Sequence, residues 1–101
     1  MNTTAACTAA SPLTQALVMT RAMLAAAQEA DWDELLRLEE ARAPILRRQH
    51  PDDVVSRAQI GQVLAYDRQL QALLGSARDA VARQWQSERA RSHAIAAYAH
   101  P

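Results

Sequence analysis

Phenylalanine and lysine are both missing from this 101-residue sequence, cysteine occurs once, glycine twice and proline four times. Each shortage excludes something. So few glycines and prolines leave too little turn chemistry for a fold built of short strands. A single cysteine, Cys7, forms no internal disulfide and suits a reducing compartment; it has no neighbouring His or basic group to lower its pKa, so a nucleophilic role is not expected. Gly61 and Gly75 stand alone, which excludes a glycine-rich phosphate loop. Charge of one sign is absent too: eleven basic residues, all Arg, balance eleven acidic ones, so no global field draws the chain to nucleic acid or an acidic membrane. The N-terminus has no basic n-region, and the apolar stretch after Leu13 is broken by Thr14, Gln15 and Arg21. Neither a secretory signal nor a membrane span is expected, and the chain reads as cytoplasmic.

What is there is alanine. Hydrophobic types make up 50% of the chain and only 4% is aromatic. Alanine loses no side-chain entropy in a helix and offers little to a pleated sheet, so the fold class is all-α. The length points to one domain spanning 1–101.

Residues 1–10 carry no large apolar side chain after Met1 and read as disordered. Ser11-Pro12 then supplies an N-cap hydroxyl and a proline at N1. Leu13, Leu17, Leu24 and Ala27 recur at helical spacing, widened by Val18, Met19 and Met23, and predict a helix over about 12–29. Asp31-Trp32-Asp33-Glu34 has the form of a capping box. It opens a second helix over about 32–49, with Leu35, Leu38, Arg42, Ile45 and Gln49 along its seam. Pro44, inside that pattern, predicts a kink near Glu40–Ala43. His50-Pro51-Asp52-Asp53 closes this helix and opens the next, with Asp52 or Asp53 as cap. The third helix, about 54–91, keeps a three-four spacing through Ile60, Val63, Asp67, Leu70, Leu74, Ala77 and Val81, continued by Leu64, Leu73 and Trp85. Its weak point is Gly75-Ser76. Residues 93–101 read as a mobile tail or short C-terminal helix. No internal repeat or low-complexity linker is evident.

Lengths then decide something. The first two helices span roughly 25–27 Å each and the third roughly 55 Å. Short connections make neighbours antiparallel, so the expected architecture is a helical hairpin or bundle in which the first two helices cover only half of the third. Leu74, Ala77, Val81 and Trp85 form a stripe without a partner, to be covered by a fold-back tail, a second subunit or a client chain.

Candidate chemistry is sparse. His50, Asp52 and Asp53 offer one imidazole and two carboxylates without the spacing of a metal site, and they suit a helix junction as turn and cap. His93 and His100 fall on the tail and read as solvated surface. No metal, cofactor or catalytic group is expected. Glu39, Glu40 and Arg42 read as ion-pairing groups, whereas Asp67 lies on the seam itself and is expected to set helix register through a partner such as Arg42. Trp32 reads as an anchor for the first corner. Leu38, Ile45, Leu64 and Leu70 are the expected core.

The run Asp31-Trp32-Asp33-Glu34-Leu35-Leu36-Arg37-Leu38-Glu39, a tryptophan entering a helix as Trp-x-x-Leu-x-x-x-Glu followed by Arg42, resembles the FliT family of flagellar export chaperones. The segment Ile60 to Leu70 is similar to that family's third helix, and Gln86-Ser-Glu-Arg-Ala-Arg, reaching Tyr98, to its C-terminal segment; the likeness covers most of residues 13–98. Pro44 departs from the pattern. The resemblance implies a cytosolic chaperone that binds the filament cap protein and delivers it to type III export. It further implies contacts with the export ATPase complex and, in some bacteria, with the flagellar master transcription regulator. It implies a client site on the third helix, here Leu64, Leu70, Leu74, Val81 and Trp85, a restraining tail bearing Tyr98, and a homodimer formed through the first helix. Asp67 to Leu74 is also similar to a run in the all-helical chorismate mutases. There the run lies early and further helices supply Arg, Lys and Gln to the substrate, whereas here it lies late and no lysine exists. A generic helical adaptor is the other alternative.

Overall fold

The structure, a computed structural model, describes residues 11–99 and contains three helices and no strand among them: α1 Pro12–Gln28, α2 Trp32–Leu46 and α3 Val54–Ala99. The chain divides into two compact units, one ending at Gln71 and one beginning at Ala72.

The first unit holds α1, α2 and the start of α3. Ser11 caps α1 by accepting a hydrogen bond from the Thr14 amide at 3.1 Å, with Pro12 in the first turn as expected. At the other end Ala30 takes a positive φ of 58°. The Asp31 amide donates to Ala26 O at 2.8 Å and the Ala30 amide to Ala27 O at 3.1 Å, a Schellman arrangement in which an alanine occupies the glycine position. That motif halves the capping box. The Asp31 carboxylate does accept from the Glu34 amide at 3.3 Å, but the Asp31 amide is already taken by α1. The Glu34 carboxylate therefore turns to Arg37 in a two-bond pair instead of reaching back.

Helix α2 continues through Pro44 and ends at Leu46, three residues before the boundary expected from the seam. Pro51 disfavours helical backbone at His50, and the last turn tightens as the Arg48 amide donates to Ile45 O. Both Glu40 and Pro44 are exposed, which sets the interrupted hydrogen bond on the solvent side of the helix. Asp53, not Asp52, caps α3: its carboxylate accepts from the Ser56 amide at 2.7 Å. Asp52 pairs with Arg57.

The core of this unit is small and built from helix faces. Leu13, Ala16, Leu17, Met23, Ala26 and Ala27 come from α1, Leu35, Leu38 and Ile45 from α2, and Val63 and Leu70 from α3. Leu64, expected in the core, is instead 51% exposed. Val63, one residue earlier, takes the inward position, and the inward row then steps through the partly exposed Asp67 to the buried Leu70 at helical spacing. Gln49 and Val18 are likewise exposed.

In the second unit α3 runs without interruption past Gly75 and on to Ala99, beyond the expected boundary at Arg91, so residues 93–99 belong to α3 and form no separate element. A Cβ added at Gly75 would meet nothing within 4 Å, so this glycine serves no close approach. The helical run of alanines and arginines carries the chain past it. Cys7, His100 and the expected loose segment 1–10 lie outside the described residues.

Candidate partner-binding surface

Among the described residues of the first unit, Arg42 is the centre of a buried polar cluster. Arg42, its side chain 8% exposed, sends Nη1 to Asp67 Oδ1 at 2.7 Å and to Thr20 Oγ1 at 3.0 Å, and Nη2 to Glu39 Oε1 at 3.2 Å. Thr20 is fully buried and donates its own hydroxyl proton to Ala16 O at 2.7 Å. One side chain from each helix therefore meets at a single guanidinium. The pairing of Asp67 with Arg42 is the one expected from their seam positions; Thr20 was not anticipated. Arg42 Nε is buried without a partner, so the cluster is not fully satisfied. Two lighter ties accompany it: Gln59 donates to Thr14 Oγ1 at 2.8 Å, and the Arg21 guanidinium lies 5.7 Å from the centre of the Tyr66 ring.

The described part of this unit has a small recess beside His50. Its recess at the α2–α3 junction, lined by residues including Leu13, His50, Pro51 and Gln59, has a volume of 120 Å³, against about 300–1,000 Å³ for typical ligand pockets. His50 Nε2 is buried there without a protein partner. The perturbed groups sit at helix starts instead. The Ser56 amide, and secondarily its hydroxyl, hold the Asp53 carboxyl below its ordinary 3.8. The Arg37 side chain, chiefly by hydrogen bonding, lowers the Glu34 carboxyl, and Glu34 in turn raises Arg37. Among the described residues no group of three or more His, Cys, Asp or Glu is placed to hold a metal, and no helix is long and apolar enough to cross a membrane.

The predicted client residues separate. Leu70 is buried in the first unit at 6% exposure, and Leu64 lies open on the same unit. In the second unit Leu74, Val81, Trp85, Ile95 and Tyr98 are all exposed, Trp85 at 67% and Tyr98 at 92%. Among the described residues from Ala72 onward none is buried. This half of α3 therefore presents large apolar side chains that its own unit does not cover. Trp85 borders a hollow shared with Glu88, Arg89 and Ser92, and Tyr98 one shared with Ala94 and Ala97. Trp32, at the start of α2, is 38% exposed, a partial anchor only.

No curated protein and no solved structure gives a match to the chain. One family model does, that of the flagellar protein FliT, over residues 10–100. The match takes in all three helices, the Arg42–Asp67 cluster and the uncovered half of α3, and it sets aside the chorismate mutase likeness, since the family is one of flagellar chaperones and not of enzymes. The chain belongs to the flagellar protein FliT family.

Proposed function

We propose that this chaperone holds the filament cap protein in the cytoplasm before type III export, using the apolar side chains on the second half of α3. The observation that supports the reading is the exposure of Leu74, Val81, Trp85 and Tyr98 within one compact unit of a flagellar chaperone. An unassembled subunit carries apolar surface meant for its neighbours in the filament. A chaperone keeps it soluble by offering a temporary apolar face, and such a face must be open while no client is bound. Leu70 serves this reading only indirectly, by holding α3 in the first unit, while Leu64 is a further exposed apolar side chain on α3. The export ATPase complex and the flagellar master regulator are the further partners in this proposal, and self-association as a homodimer through α1 its resting state. Sedimentation of the free protein then shows a species near twice 11.1 kDa.

The test is calorimetric titration of the full-length protein with a peptide from the C-terminal segment of a filament cap protein. Saturable binding that Leu74→Asp or Val81→Asp abolishes, with the helical signal unchanged, is the expected result. Undiminished binding by both variants overturns the proposed surface.

A further inference from the structure

We draw no further inference here: the strongest candidate, the exposed apolar face of α3 around Leu74, Val81 and Trp85, belongs to the surface already proposed for the client, and nothing in the structure shows what covers it.

Discussion

Asp67→Ala is expected to destabilise the protein by about 3 kcal/mol, because it leaves the buried Arg42 charge without its nearest counter-charge. In the intact protein the Arg42 guanidinium is nearly enclosed and is balanced by Asp67 at 2.7 Å and Glu39 at 3.2 Å. Two charges about 4 Å apart attract by about 4 kcal/mol at an effective dielectric near 20. Asp67 retains 27% side-chain exposure, so water already screens part of that attraction, and roughly 3 kcal/mol remains. Once the carboxylate is gone, the positive charge stays buried with only Thr20 and the half-exposed Glu39 to answer it. Replacing both charged groups removes the conflict. Arg42→Met combined with Asp67→Leu fills similar volume with apolar atoms and should fall within about 1 kcal/mol of the parent. Urea unfolding followed by circular dichroism measures all three proteins. A double variant as unstable as Asp67→Ala refutes the idea that the loss comes from an uncompensated charge; a single-variant loss under about 1 kcal/mol refutes the burial itself.

Leu70→Ala should cost about 2–5 kcal/mol in the same assay because Leu70 is 6% exposed, whereas Trp85→Ala should change stability by less than about 0.5 kcal/mol. Equal losses at the two sites would assign Trp85 to a permanent core. Ala30→Gly should stabilise by about 1 kcal/mol, since it relieves a left-handed alanine at the α1 C-cap; a fall in melting temperature would mean that residue 30 is not left-handed in solution. The Asp53 carboxyl has its pKa lowered by folding, so its contribution to stability is present above the ordinary value of 3.8 and disappears as pH falls below it through the folded value. Asp53→Asn should flatten the acid limb of a plot of melting temperature against pH, and an unchanged limb would assign the acid sensitivity to other carboxylates.

The parts of this fold that could be read in advance are those in which one helix turn repeats a simple rule. Ser11-Pro12 and Asp31 as helix starts, the Leu35–Leu38–Arg42–Ile45 seam and the Asp67–Arg42 pair all follow from spacing and from the need to neutralise an acid on an apolar face. The failures are of another kind. Leu64 and Val63 are adjacent and both apolar, and only the packing of the other helices decides which turns inward. The left-handed cap at Ala30 carries no glycine to announce it, and it in turn removes the second half of the capping box by occupying the Asp31 amide. Thr20 is polar by composition and core by position, because the Ala16 carbonyl and the Arg42 guanidinium satisfy its hydroxyl. Of the residues expected on the client stripe, Leu70 is buried while Leu74, Val81 and Trp85 are exposed, a change along one helix that no periodicity marks.

No described side chain from Ala72 onward is buried, and this has a consequence for hydrogen exchange. Amides of α1, α2 and the first turns of α3 are protected by a core and open only when it does. Amides beyond residue 72 are shielded by helix hydrogen bonds alone, so local fraying sets their exchange, and they should deuterate orders of magnitude sooner. A bound chain that covers Val81 and Trp85 would slow those amides and leave the others unchanged. The free protein thus carries a built-in time axis on which occupancy can be read residue by residue, with the slow amides of its own first unit as the reference.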